Sequence, residues 1–135
     1  GSLMRWLDAK LYPAFQNRWD DTLFRQRILS YLGEGGDLDV LNLGAGAGIV
    51  EQMDFRGHAR RICGIDPDPR VVENPYLTGQ VGLGESIPYP DASFVLVFAD
   101  NVFEHLPDPV RVFAEVARVL RTGGVFLGKT PNKWH

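Results

Sequence analysis

The sequence predicts an α/β fold in which helices cover both faces of a parallel β-sheet. Residues 61–66 and 94–99 are short apolar stretches, and the second, FVLVFA, is apolar throughout, as a strand buried on both faces should be. Residues 39–48 read DVLNLGAGAG, an apolar strand that ends in a glycine turn before a predicted helix. This alternation of strands and helices favours one doubly wound domain.

Composition limits the function classes. The 135 residues, 44% of them hydrophobic, suit a single domain with its own core. With 14 basic and 17 acidic residues the formal net charge is −3, so a surface for nucleic acid is not expected. No apolar run approaches the roughly 20 residues that span a bilayer, so membrane insertion is not expected. Cys63 is the single cysteine, which excludes an internal disulfide and favours a cytoplasmic location.

Residues 1–36 are predicted to form a helical cap segment before the first strand. Its helix is indicated by apolar residues at helical spacing, namely Leu23, Phe24, Ile28, Tyr31 and Leu32. Three aromatic residues of the segment, Trp6, Tyr12 and Trp19, leave two alternatives. They belong to helices that face the core, or they form a lid over the ligand site.

The glycine turn after the first strand is the predicted ligand site. Glycines without a Cβ adopt positive φ and let a ligand approach the backbone, and they stand here at Gly44, Gly46 and Gly48, with Ala45 between the first two. A helix is predicted over residues 48–55, with its free N–H groups pointing into the same crevice. In an open α/β sheet this crevice, at the carboxyl ends of the strands, is where ligands bind.

The spacing of the turn argues against two common nucleotide sites. A dinucleotide fingerprint requires a glycine at its sixth position, where this chain has Ile49. A phosphate-binding loop requires a lysine followed by Ser or Thr, and neither follows the turn. The turn therefore suits a ligand whose polar part is not a pyrophosphate.

An acid ends the second predicted strand. Asp66 follows Gly44 by 22 positions and precedes Pro67. In nucleoside-binding α/β folds an acid at this place accepts hydrogen bonds from ribose hydroxyls, so Asp66, with the adjacent Pro67, is a candidate for cofactor binding.

Five stretches in this order carry a family resemblance. They are the glycine turn, Asp66, GESIPYPDASFVLV from Gly84, NVFEHLPDP from Asn101 and VARVLRTGGVFL from Val116. Over residues 37–130 the chain resembles the class I S-adenosylmethionine-dependent methyltransferases, particularly the small-molecule group called type 11. The resemblance implies a Rossmann-like core over residues 37–135 with strand order 3-2-1-4-5, in which the family's strands 6 and 7 are absent. It also implies S-adenosylmethionine as cofactor and S-adenosylhomocysteine as product.

The resemblance and the strand ends suggest further cofactor contacts. Relatives usually end the third strand, here near residues 79–83, in an acid that bonds the adenine amino group, but this chain has Leu83. Backbone groups near Gly84 and Glu85 are then expected to contact the adenine edge. The fourth strand ends at Asp100 and Asn101, beside the glycine turn, where both are expected to meet the methionyl part of the cofactor.

Glu104 and His105 form an acid and histidine pair with a claim on chemistry. Methyl transfer from a sulfonium mainly requires alignment of the acceptor and exclusion of water. A general base is needed where the acceptor must lose a proton, and His105 is the catalytic candidate for that role. The alternative is that both residues begin or cap a helix beneath the site.

The last elements are an amphipathic helix and a fifth strand. Asp108 is predicted to cap the helix, and Gly123 with Gly124 to end it. The fifth strand is expected at residues 125–129. Without the family's last two strands its edge would be unpaired, and we expect either a homodimer through that edge or a domain that closes the edge by exchange.

Three functions follow as alternatives. The first is a methyltransferase that acts on a small-molecule, lipid or glycan-precursor acceptor. The second is a domain that binds the cofactor without competent catalysis, which Leu83 and the absent strands favour. The third is a nucleotide-dependent oxidoreductase, against which Ile49 argues.

Overall fold

A computed structural model describes residues 18–100 and 106–129, with side chains from Asp21 onward. Within these residues the chain forms two α-helices, α1 (Arg18–Leu32) and α2 (Pro109–Val119). Two 3₁₀ helices span Glu51–Met53 and Pro69–Glu73. The strands are β1 (Asp39–Leu43), β2 (Arg61–Asp66), β3 (Thr78–Val81), β4 (Phe94–Asp100) and β5 (Leu120–Lys129).

The five described strands form one parallel sheet in the order β3-β2-β1-β4-β5. This confirms the predicted α/β fold and strand order. The chain moves from β1 to β2 and β3 on one side and then returns to place β4 on the other side of β1. The two halves diverge between β1 and β4, which is the switch point where ligands bind in sheets of this kind.

Each face of the sheet carries its own apolar core, as a doubly wound fold requires. On one face α1 packs over a cluster that includes Phe24, Ile28, Val40, Phe55, Leu96, Phe98 and Leu127. On the other face α2 packs over a cluster that includes Leu41, Leu43, Ile65, Val97, Val112, Val116 and Phe126. Successive residues of β1 alternate between the two clusters because side chains of a strand point to opposite faces.

The helix predicted from the apolar spacing of the cap segment is present as α1. Phe24, Ile28 and Leu32 recur every four residues and are buried in one stripe. The helix ends where Gly33 takes a φ of +67° and donates from its N–H to Leu29 O at 3.1 Å. The aromatic residues Trp6 and Tyr12, and the side chain of Trp19, lie outside the described part of the chain.

The helix predicted over residues 48–55 is wrong. Only Glu51–Met53 form a single 3₁₀ turn, and Asp54 is extended. Met53 and Phe55 are both buried in the α1 cluster, and two residues at this spacing would point to different sides of an α-helix. Asp54 Oδ1 then accepts from the Arg56 N–H at 3.1 Å and Gly57 adopts a φ of +85°, so the chain turns towards β2.

The predicted end of α2 at Gly123 is also wrong. The helix starts after the predicted Asp108 cap, whose carboxylate accepts from the Arg111 N–H, but it ends at Val119. The carbonyls of Arg118 and Val119 accept from the amides of Ala92 and Ser93 at 2.9 and 2.8 Å, and Leu120 pairs with Phe94. Gly123, with a φ of +82°, lies in an irregular stretch of β5 before regular pairing resumes at Val125.

The edges of the sheet are β3 and β5. β3 spans Thr78–Val81, slightly earlier than expected, and Leu83 instead forms an isolated antiparallel bridge with Ser86. Among the described strands β5 pairs only with β4. No helix in the described ranges is long and apolar enough to cross a membrane.

Candidate functional site

A cleft of about 290 Å³ opens at the carboxyl ends of β1 and β4. The glycine turn forms one wall with Gly44, Ala45, Gly46 and Gly48. The remaining wall residues lie within the turn and in neighbouring parts of the chain: Asn42, Ala47, Ile49, Val50, Met53, Arg70, Asn74, Tyr76 and Asp100. The structure therefore brings the predicted glycine turn and Asp100 together at the switch point of the sheet.

The glycine turn adopts a conformation that glycine favours. Gly44, Gly46 and Gly48 have φ values of +79°, +61° and +81°. The amides of Gly44 and Ala45 donate to Ile65 O at 2.8 and 3.1 Å, which ties the turn to β2. A Cβ added at Gly46 would meet no atom of the described chain within 4 Å, so this part of the turn faces open space.

Asp66 braces the turn from the end of β2. Its Oδ2 accepts from the Gly46 N–H at 3.0 Å, and its Oδ1 accepts from the Asp68 N–H at 2.8 Å. Each carboxylate oxygen has a further lone pair available to a ligand. Asp66 and Pro67 stand beside the turn but are not among the residues that line the cleft.

Asn74 holds the other side of the turn. The sequence patterns did not indicate it as a site residue. Its side chain is buried, its Nδ2 donates to Gly46 O at 3.1 Å and to Ala45 O at 3.4 Å, and its Oδ1 accepts from the Tyr76 N–H at 2.9 Å. A Cβ at Gly48 would lie 2.6 Å from Asn74 Oδ1. Gly48 is therefore required both by its φ and by the position of Asn74.

A charge cluster lies at the ends of β4 and β5, where Asp100 lines the cleft. Lys129 is 3% exposed and lies directly opposite Asp100 in the sheet. Its Nζ donates to Asp21 of α1 and lies 3.6 Å from Asp100 Oδ1. Burial raises the pKa of Asp100, the Lys129 charge opposes this shift and the Asp21 charge adds to it.

A glycine turn with an acid at the end of the next strand, at the switch point of a 3-2-1-4-5 sheet, is the arrangement that the sequence resemblance implied. A family model described as "Methyltransferase domain" matches residues 41–128. The chain belongs to this family. It is a class I S-adenosylmethionine-dependent methyltransferase domain, and S-adenosylmethionine is the cofactor that membership implies.

Relatives and solved structures agree with the family. A probable S-adenosylmethionine-dependent methyltransferase of Mycolicibacterium smegmatis is 39% identical over 100 residues, covering 70% of this chain and 38% of that protein. A malonyl-[acyl-carrier protein] O-methyltransferase of Hahella chejuensis is 31% identical, covering 78% of this chain and 40% of the relative. The crystal structure of the YcgJ protein from Bacillus subtilis superposes with a TM-score of 0.68 at 27% identity, covering 78% of this chain and 49% of that one.

The chain spans about two fifths of the length of these curated relatives. The part matched by the family model contains the glycine turn and most of the sheet. The complete protein's reaction and acceptor therefore belong to the proposals below.

The predicted adenine contacts lie apart from the cleft wall. Gly84 faces α2, where an added Cβ would lie 3.1 Å from Val112 Cγ1, tighter than an ordinary van der Waals contact. Arg111 Nε donates to Glu85 O at 3.2 Å. Glu85 Oε1 is buried and has no hydrogen-bond partner within the described chain. Leu83, which stands where relatives carry an acid, is 54% exposed.

Two predicted site residues, Asn101 and the candidate base His105, lie outside the described residues, as does Glu104.

Sequence reasoning also missed several wall residues, namely Asn42, Met53, Arg70, Asn74 and Tyr76, and it missed Lys129. Asn42 and Lys129 gave a signal, because each is a polar residue within an apolar strand. Such residues in a buried strand need partners, and at the carboxyl end of a sheet those partners include a ligand.

Proposed function

We propose that this domain binds S-adenosylmethionine in the cleft at the ends of β1 and β4 and transfers its methyl group to a small-molecule, lipid or glycan-precursor acceptor. The observation that carries the proposal is the glycine turn, whose backbone is held by Asp66 and Asn74 while Gly46 faces open space. The buried Asp100 Oδ1, without a hydrogen-bond partner in the described chain, adds an acceptor for a cationic group. These residues fit the cofactor.

Each proposed contact follows from the chemistry of the side chain. Asp66 accepts hydrogen bonds from the ribose hydroxyls, with Pro67 beside it, and Gly44, Ala45, Gly46 and Gly48 allow the ligand to approach the backbone. Asp100, with Asn101, faces the amino-acid part. Gly84 and Glu85 present backbone groups, and the Glu85 carboxylate, to the adenine edge.

Bound S-adenosylmethionine supplies a methyl group on a good leaving group. The protein then has to hold the acceptor in line and exclude water, and the apolar Ile49, Val50 and Met53 on the cleft wall serve the second purpose. Where the acceptor is a hydroxyl or a phenol, we propose His105 as the group that takes its proton. Substitution His105→Ala should then lower turnover at saturating cofactor while leaving cofactor affinity unchanged.

The acceptor proposal is guided by the relatives. The Hahella chejuensis relative is named as an O-methyltransferase that acts on a malonyl group carried by a protein. Carboxylic acids on a carrier therefore belong in the acceptor panel, together with free hydroxyl and amine metabolites, lipids and glycan precursors. His105→Ala should lower turnover more for hydroxyl acceptors than for carboxylic acids, which are already ionised at neutral pH.

The second candidate is a cofactor-binding domain without competent catalysis. One observation favours it: Leu83 replaces the family's acid near the adenine site. Saturable binding of the cofactor without turnover on any acceptor of the panel would identify this candidate. Turnover on one acceptor would exclude it.

Calorimetric titration with S-adenosylmethionine and S-adenosylhomocysteine tests the proposal. Asp66→Ala should weaken binding by about 1 kcal/mol or more, roughly fivefold, because a carboxylate hydrogen bond is lost. The matched control is Asp91→Ala, since Asp91 is an exposed acid paired with Arg118 away from the cleft. Circular dichroism separates loss of the site from loss of the fold. No binding by the folded wild-type chain would refute the proposal.

We further propose a homodimer through the exposed edge of β5. Among the described strands this edge has no partner, and unpaired edges invite pairing with another chain. Light scattering over a range of concentrations tests it, and a monomer mass at every concentration would refute it. A cytoplasmic location also remains a prediction, based on the single cysteine.

A further inference from the structure

An arginine of α1 holds the segment that follows the glycine turn. Arg25 Nη1 donates to Gln52 O at 3.0 Å and to Asp54 O at 2.6 Å. This guanidinium nitrogen carries two hydrogens, so both bonds can form together. The guanidinium carbon also lies 5.0 Å from the centre of the Phe55 ring. A single side chain of α1 therefore contacts three of the four residues 52–55.

These bonds replace one that a continuing helix would make. In an α-helix, Gln52 O would accept from the Arg56 N–H, four residues further along the chain. That N–H donates instead to Asp54 Oδ1 at 3.1 Å. Gln52 O is left at the end of the 3₁₀ turn, where Arg25 supplies its donor. Arg25 therefore stabilises the short turn and the extended chain against the longer helix that the sequence predicts.

The same segment, residues 49–55, forms the apolar part of the cleft wall, and we call it the wall segment. Ile49, Val50 and Met53 line the cleft. Met53 lies between the two residues whose carbonyls Arg25 holds, and it is buried in the α1 cluster. The position of this wall is therefore set by an arginine that does not itself line the cleft.

We infer that Arg25 is a positioning residue for cofactor binding, which fixes the wall segment in the conformation that accepts the ligand. This inference rests on the proposed function. Without the guanidinium, the wall segment would populate other conformations, and the ligand would bind only the fraction that keeps the wall in place. The apparent dissociation constant rises in inverse proportion to that fraction, so a competent fraction of about one fifth weakens binding about fivefold.

The test compares two arginine variants by calorimetric titration of the folded chain with S-adenosylmethionine. Arg25→Met keeps an aliphatic side chain and removes the donors, so it should raise the dissociation constant about fivefold or more. Arg60→Met is the matched control. Arg60 also donates two side-chain hydrogen bonds, at 2.9 and 2.7 Å to Asp39, but at the amino end of β1, away from the cleft. This control should lower the urea midpoint and leave the dissociation constant unchanged.

Hydrogen exchange of the ligand-free chain provides a readout that does not depend on the cofactor. The amides of Met53 and Asp54 each donate to the carbonyl three residues earlier at 3.0 Å, so the wall segment has protected N–H groups of its own. Arg25→Met should speed exchange at these amides, and Arg60→Met should not. Arg25→Lys retains one charged donor group and should lie between the wild type and Arg25→Met in both measurements.

The outcomes separate the inference from the proposed function. A wild-type chain that binds the cofactor, with an affinity that Arg25→Met leaves unchanged, refutes the inference alone, because a loss of stability by itself describes a structural role. Equal weakening by Arg60→Met also refutes it, and so does weaker binding in Arg25→Met without faster exchange in the wall segment. If Arg25→Met does not fold, wild-type affinity in Arg25→Lys refutes the inference. A folded wild-type chain that binds no cofactor refutes the proposed function, and the inference falls with it.

Discussion

Asn74→Ala should loosen the glycine turn and weaken cofactor binding. The buried side chain makes two hydrogen bonds of ordinary length, at 3.1 Å to Gly46 O and 2.9 Å from the Tyr76 N–H, and a longer one of 3.4 Å to Ala45 O. Each ordinary hydrogen bond contributes about 1 kcal/mol, and the backbone groups left unsatisfied cost a further fraction of a kcal/mol. We therefore expect a loss of about 2–3 kcal/mol in the free energy of unfolding.

Urea unfolding and calorimetric titration with S-adenosylmethionine measure this effect. Asn74→Asp is an informative second variant. It keeps the acceptor for the Tyr76 N–H but turns a carboxylate oxygen towards the carbonyls of Ala45 and Gly46. It should be at least as destabilising as Asn74→Ala. Ser30→Ala, which removes one exposed hydrogen bond to Arg27 O, should change stability by less than about 0.5 kcal/mol. Wild-type stability and affinity in Asn74→Ala would refute the bracing role.

A double-mutant cycle sharpens the same prediction. Gly48→Ala is strained by a φ of +81° and by contacts of 2.6 Å to Asn74 Oδ1 and 2.8 Å to Pro75 Cδ. In the Asn74→Ala background the first of these contacts disappears, but the φ and the proline remain. Gly48→Ala should therefore cost less in that background than in the wild type, by about 1 kcal/mol or more. Additive losses would mean that the two residues do not share a constraint.

Three further predictions concern the scaffold. Arg60 donates two hydrogen bonds to the largely buried Asp39 carboxyl and lowers its pKa. The stability that this ion pair contributes should be complete above the unfolded pKa of Asp39, about 4. It should disappear as the pH falls through the lower pKa of the folded state. The stability gap between wild type and Asp39→Asn in urea should therefore close at acid pH, and a pH-independent gap would contradict this. Phe55→Ala should cost about 3–5 kcal/mol in urea unfolding, because the ring is fully buried against Phe98; a loss under 1 kcal/mol would contradict its place in the core. Arg118→Lys should lower the free energy of unfolding by about 1–2 kcal/mol in the same assay. The reason is that one ammonium cannot replace the guanidinium, which donates at 2.8 Å to both Ile87 O and Tyr89 O. Unchanged stability would contradict this prediction.

Local patterns were sufficient for most of the strands. β2 begins at Arg61 and ends at Asp66, as its apolar run predicts, and β4 differs from its predicted range by a single residue, Asp100. α1 follows from the four-residue spacing of its buried side chains. These elements were predictable because burial on one or both faces imposes a period that the sequence itself displays.

The errors occurred where distant residues decide the local structure. The segment after the glycine turn has the composition of a short helix, but the burial of both Met53 and Phe55 against α1 requires an extended chain. α2 ends before its glycines because Ala92 and Ser93 take the carbonyls of its last residues. Asn74 and Lys129 act through contacts with residues about 30 and more than 100 positions away. A short sequence pattern cannot show contacts between residues that are so far apart in the chain.

The missing helix after the turn changes the electrostatics of the site. A long helix starting at Gly48 would aim its positive dipole end at the ligand, an arrangement that favours phosphates and other anions. The three-residue 3₁₀ turn gives no comparable field, and the turn is instead flanked by carboxylates, Asp66 at one end and Asp100 at the other. A cleft lined by backbone glycines and Asp100, with Asp66 beside it and no helix dipole aimed at it, favours a ligand that carries hydroxyls and a cation over one that carries phosphate. The spacing of the glycines argues independently against a dinucleotide site, because Ile49 stands where the dinucleotide fingerprint requires a glycine.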